Sequence, residues 1–115
     1  VAIGTGGINQ ARIAKIWVNF DGSGTVAIRD SYNVSSITDD ATGNYTANFT
    51  TAMTDANYSA VMYTNATNTG VGLGDFNNQY AGGLHTRTTT SLGFQSYGAS
   101  GSADATLCDL IVFGN

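Results

Sequence analysis

The chain has 115 residues, enough for one domain with a buried core. Only 10% of residues are charged, there is no glutamate, Lys15 is the one lysine and the net charge is −4, against a usual charged fraction of about 25%. That balance argues against nucleic acid and anionic membranes as partners; no apolar run reaches the roughly 18 residues a membrane helix needs, and Cys108, being alone, cannot form an intrachain disulfide.

Thr, Ser, Asn and Gly stand where charged residues usually do. With Tyr, Val and Ile they favour strands over helices, so the expected fold class is all-β. Residues 1–11, VAIGTGGINQA, read as a lead-in segment or linker, and 12–115 as a single domain. Lys15 to Val34, KIWVNFDGSGTVAIRDSYNV, reads as a hairpin. Ala14, Ile16, Val18 and Phe20 share one face of its first strand; Lys15, Trp17 and Asn19 share the other. Matching the apolar faces sets Phe20 opposite Val26, Val18 opposite Ile28 and Ala14 opposite Tyr32. Asp21 then pairs with Thr25 around a three-residue loop, Gly22-Ser23-Gly24, with Gly24 suited to a left-handed turn position. That register puts Trp17 opposite Arg29 on the outer face, where a guanidinium stacks well on an indole. It also puts Asp30 inside, a misfit that calls for a bulge or for buried donors.

Past Val34 the apolar parity changes, and a bend or bulge at Ser35-Ser36 would achieve this. The stretch 35–49, SSITDDATGNYTANF, reads as a second hairpin with Ile37, Tyr45, Ala47 and Phe49 inward. Tyr58 to Tyr63, apolar on both faces, reads as a central or sandwiched strand. Residues 64–83 lose the pattern and read as a long loop with one short strand. Leu84 to Thr90 and Leu92 to Tyr97 are candidate strands, Ala99 to Asp104 a turn, and Leu107 to Phe113 the last strand. Seven or eight short strands with frequent turn signals predict an antiparallel β-sandwich.

Reactive chemistry is thin. The aspartates sit mostly at turns, where their carboxylates hydrogen-bond local backbone. His85 is the only histidine, and no nucleophile-elbow pattern accompanies it. One Cys and one His do not make a zinc site, and no calcium-loop pattern occurs. No catalytic residue, metal site or cofactor is expected, and an enzyme is not. Trp17 and Arg29 are assigned a structural or interface role. For ligand contact the irregular segment offers Asp75, Asn77, Asn78, Gln79 and His85 as hydrogen-bonding groups beside Phe76 and Tyr80 as apolar platforms, a mixture suited to a sugar.

Lys15 to Tyr58 resembles a domain recurrent in bacteriophage tail fibre and tail-spike-like proteins. The shared pattern runs K-x-W-V-N-F-x-G-x-G-T-V-A-I-R-x-S-x-N-V-S-S-I-T-D and then T-G-x-Y-T-x-N-F-T-T-x-M, covering roughly two-fifths of the chain. Thr54 departs from it, since proline is common there. The resemblance implies a virion component, extracellular, assembled as a homotrimer at a fibre or spike tip beside other tail proteins, with a role in attachment to a host surface glycan or receptor. Two other readings stay open: a purely structural trimerisation or capping module, and a carbohydrate-binding module of a secreted protein.

Overall fold

In the computed structural model, residues 12–65, 73–75, 87–98 and 101–114 are described. The lead-in residues 1–11 lie outside them. The strands are β1 (Ala14–Asp21), β2 (Ala27–Tyr32), β3 (Val34–Ala41), β4 (Asn44–Phe49), β5 (Ser59–Thr64), β6 (Leu73–Asp75), β7 (Ser91–Gly98), β8 (Gly101–Ser102) and β9 (Cys108–Phe113). They form two antiparallel sheets, one ordered β2-β1-β9-β5 and the other β3-β4-β7-β6, with β8 paired to β7. The all-β antiparallel sandwich is as expected, and β6 is the short strand anticipated in the irregular segment.

Alternation makes the core. Ile16, Val18 and Phe20 from β1, and Cys108, Leu110 and Val112 from β9, face Tyr45 and Ala47 from β4 and Leu92 and Phe94 from β7. Phe20, Tyr45 and Phe94 meet with centroids 5.2, 5.8 and 5.9 Å apart, the tilted and edge-on geometry that aromatic quadrupoles favour. A buried hydroxyl pair, Ser96 donating to Thr64 at 2.9 Å, ties β7 to β5 across the layers. The β3–β4 hairpin closes through Thr42-Gly43. Gly43 has φ +70, and a Cβ there would sit 2.7 Å from Ser96 O and Ala103 N, so only glycine fits.

The first hairpin departs from the expected register. Phe20 pairs with Ile28 and Asp21 with Ala27, leaving a five-residue loop from Gly22 to Val26. The cause is the anchoring of Gly22: its N–H donates to Ala105 O at 2.8 Å and its carbonyl accepts from the Tyr45 hydroxyl at 2.9 Å. Gly22 is thereby committed to the sandwich, and Val26 packs against the core from outside the ladder. Gly24 does take the left-handed turn position, with φ +59, and Asp21 accepts from Ser23 N–H and Oγ at 2.8 and 2.6 Å.

A bulge at Arg29 then lets Asn19 pair with Asp30 and Trp17 with Tyr32. It turns Asp30 outward, which resolves the misfit. It also separates Arg29 from the indole. Arg29 donates to Thr106 O at 2.5 Å and to Asn19 Oδ1 at 3.5 Å, and lies 3.9 Å from Asp21 Oδ2; the stacking on Trp17 is replaced by these contacts. The expected irregularity near Ser35 is present between Val34 and Ser36, preceded by a sharper corner at Asn33.

Two further strands differ from expectation. β5 is an edge strand, with Val61 61% and Tyr63 53% exposed, because β9 takes the central place between it and β1. Of the candidate strand 84–90, residues 84–86 lie outside the described residues, and 87–90 are a turn bridged by Arg87 and Leu92. The Thr88 hydroxyl accepts from the N–H groups of Thr90 and Ser91 at 3.1 and 3.0 Å, and that local bonding competes with strand formation.

Candidate functional site

Side-chain alternation carries the odd residues of β1 and β9 to the outer face of their sheet. The registers line up Tyr32, Trp17, Ile111 and Val61 across all four strands. Tyr32 is 58% exposed and Ile111 39%, and Trp17 is half-buried. The next row is Asp30, Asn19, Asp109 and Tyr63, with Asn19 Nδ2 donating to Asp109 Oδ1 at 2.5 Å. Between β5 and β9 lies a shallow depression of about 210 Å³ lined by Val61, Met62, Tyr63, Asp109 and Ile111. Trp17 therefore belongs to an apolar stripe, with an amide and carboxylates alongside.

That stripe runs at Tyr32 into a deeper cleft of about 490 Å³, lined by Lys15, Tyr32, Asn33, Thr50, Thr51, Ala52, Met53 and Thr54. It is built from the corner where the chain leaves one sheet for the other. Asn33 has φ 58 and is the one non-glycine residue with positive φ among those described; asparagine tolerates this region better than most side chains. Its side chain then fixes the segment after β4. Asn33 Oδ1 accepts from Thr51 N–H at 2.7 Å, its Nδ2 donates to Thr51 O at 3.0 Å, and its carbonyl accepts from Thr50 N–H at 3.1 Å. Met53 N–H adds a bond to Thr89 O at 2.8 Å. The cleft wall is thus held by backbone bonds, while Thr50, Thr51 and Thr54 are exposed. Its volume falls in the range of small-molecule clefts, and its lining is mostly polar, with Tyr32 as the one aromatic ring.

Other polar groups have structural partners. Asp104 accepts from Gly43 N–H at 2.8 Å and from the Tyr45 hydroxyl at 3.2 Å. Slight desolvation of an exposed side chain, with Asp104 and Asp40 nearby, raises the Asp39 carboxyl above its ordinary pKa. Burial pushes the Cys108 thiol up to about 12 and the Tyr45 phenol well above its usual value. Arg87 lies over the Tyr58 ring at 4.8 Å and donates to Tyr58 O. No cluster of three or more metal-ligand side chains occurs among the described residues.

Of the sequence-predicted ligand residues, Asp75 falls on β6 in register with Gln95 of β7; Phe76, Asn77, Asn78, Gln79, Tyr80 and His85 lie outside the described residues. The turn expected at 99–104 contains β8, with Ala99 and Ser100 also outside. Sequence reasoning missed the cleft. Its available signals were the lone lysine, and an asparagine standing at the point where apolar parity switches.

No protein-family model, no curated protein and no solved structure matches this chain.

Proposed function

We propose that the chain is a tip module of a bacteriophage tail fibre or spike, a homotrimer that attaches the virion to a glycan on the host surface. The observation that carries the reading is the outer stripe Tyr32–Trp17–Ile111–Val61, which is continuous with a preformed cleft. Exposed apolar patches of this kind mark contact surfaces. Aromatic rings with amides and hydroxyls beside them match sugars, which present C–H faces and hydroxyl rims. The motif from Lys15 to Tyr58 supports the virion setting. A purely structural capping module is the second reading. It is favoured by the number of motif residues that serve the fold: Phe20, Gly22, Gly43 and Tyr45 hold the sandwich together.

The test is competition. Purified chain added to host cells should block adsorption of the parent phage in a saturable manner under the first reading. An assembled trimer that fails to compete at any concentration leaves the capping role in place and removes the attachment role.

A further inference from the structure

We infer that the cleft between the Tyr32–Asn33 corner and the Thr50–Thr54 segment binds a saccharide carrying a carboxylate. This inference rests on the attachment reading for its biological setting, though not for its chemistry.

Three observations point to it. The first is the effort spent on shaping the site. Asn33 holds a left-handed backbone that costs most non-glycine residues roughly 1 kcal/mol or more, and asparagine less. Its amide spends both bonding functions on Thr51. Residues kept in such conformations concentrate at ligand sites. The second is the chemistry of the lining. Tyr32 supplies a ring that is 58% exposed at the cleft mouth. Thr50, Thr51 and Thr54 supply exposed hydroxyls, each able to donate and accept. That set pairs one C–H face with several hydroxyl partners.

The third is charge. The chain has a net charge of −4 and a single lysine, and that lysine lines this cleft. The ladder between β1 and β9 slips between Ala14 and Ile16, and a bulge of this kind re-aims the extra residue's side chain. An ammonium carries three donors, and Lys15 brings the one positive charge in this lining. No carboxylate lines the cleft among the described residues. Asp55, next along from Thr54, turns to the N–H of Asn57 at 2.8 Å. The described lining therefore holds a positive charge and no negative one, and an anionic sugar gains there what a neutral one does not.

The experiment titrates the purified full chain with three probes: tetragalacturonate, tetramannuronate and 3′-sialyllactose. Each is paired with its methyl ester, which keeps the shape and removes the charge. Backbone amide shifts in NMR report the location. At least one acid probe should shift Asn33, Thr50, Thr51 and Thr54 and bind about tenfold tighter than its ester, a preference that weakens as salt rises. K15Q should abolish the preference and leave ester binding intact. Y32A should weaken acid and ester alike; Tyr32 is exposed on an edge strand, so an unchanged thermal melt will show that the fold is kept. The inference is overturned if folded wild-type chain binds none of the acid probes, if the shifts map to the β5–β9 face, or if K15Q and Y32A bind as wild type does. Adsorption competition reports separately on the attachment reading. Cleft binding without competition sinks that reading alone, while competition undiminished in K15Q and Y32A sinks the cleft alone.

Discussion

Tyr45 shows how one side chain serves both packing and turn geometry. Its ring is fully buried among Phe20 and Phe94, and its hydroxyl donates to Gly22 O. Tyr45→Phe keeps the ring and strands the carbonyl, so urea unfolding should show a loss of about 1–2 kcal/mol. Phe20→Ala opens a cavity in the same cluster and should cost about 3–5 kcal/mol. Equal costs for the two would mean that the hydroxyl carries more than its bond. Titratable residues give a second check. Cys108 has a folded pKa of about 12 because it is buried, against about 8.5 unfolded. Its contribution to stability is fully present below the unfolded value and is lost as pH rises through the folded one. A thiol reagent at pH 8 should accordingly leave the native chain unmodified and label it only on unfolding. Asp39 runs the same way at acid pH: its folded pKa is raised, so its favourable contribution is complete below about 3.9 and is lost as pH rises through the folded value. Asp39→Asn should raise the melting temperature at pH 7, by a few tenths of a kcal/mol in stability because the side chain is exposed, and the gain should vanish near pH 3. A melting temperature lowered at pH 7 would contradict that sign.

At the level of elements, the corner at Asn33 decides where the chain changes sheets. Asn33→Gly removes the side-chain clasp on Thr51 and keeps an easy left-handed backbone. Asn33→Ala removes the clasp and keeps a Cβ at φ 58, without the local hydrogen bonds that let asparagine tolerate that region. Alanine should therefore be the worse of the two by about 1 kcal/mol in denaturant unfolding; if the two variants match, the corner is unstrained. What was legible in the sequence follows from the same physics. Alternation identifies β1 and β4 and their inward residues, since period-2 patterning reports directly on burial; β9, apolar on both faces, is legible as a strand but not by alternation. The register of the first hairpin was hidden, because Gly22 is held by Ala105 and Tyr45, more than twenty residues away in sequence. β5 looked central because both faces are apolar, yet its outer face is at the surface. The cleft was hidden for a related reason: Lys15, Tyr32 and Thr54 are brought together only by the corner, and no local pattern announces a left-handed asparagine. The irregular segment from Asp75 to His85 is marked for ligand contact by its loop character and residue types, which carry no geometry.

For the whole molecule the two edges of the β2-β1-β9-β5 sheet are unequal. β2 carries a bulge at Arg29 and the outward charge of Asp30, both of which discourage pairing with another chain. β5, SAVMYT, has no charge, proline or bulge along its pairing with β9. Beside it the outer stripe leaves Val61, Tyr63, Ile111 and Phe113 exposed. An unprotected edge next to an apolar face is a liability for a lone domain and an asset for a subunit. The homotrimer proposed above therefore predicts that this side of the sandwich is the contact. Light scattering on wild-type chain should give a mass of three 11.9 kDa subunits. Val61→Asp places a carboxylate at the β5 end of the stripe, where solvent accommodates it in the monomer and a buried contact does not. That variant should run as a single chain with an unchanged circular dichroism spectrum, and Ile111→Asp, on the neighbouring strand, should behave alike. Asp30→Ala, on the protected edge, should leave the mass as it was. A wild-type mass of one chain at millimolar concentration would remove the trimer. A trimer that survives both Val61→Asp and Ile111→Asp would keep the assembly and move its interface off the β5–β9 face, leaving the stripe to be explained by ligand contact alone.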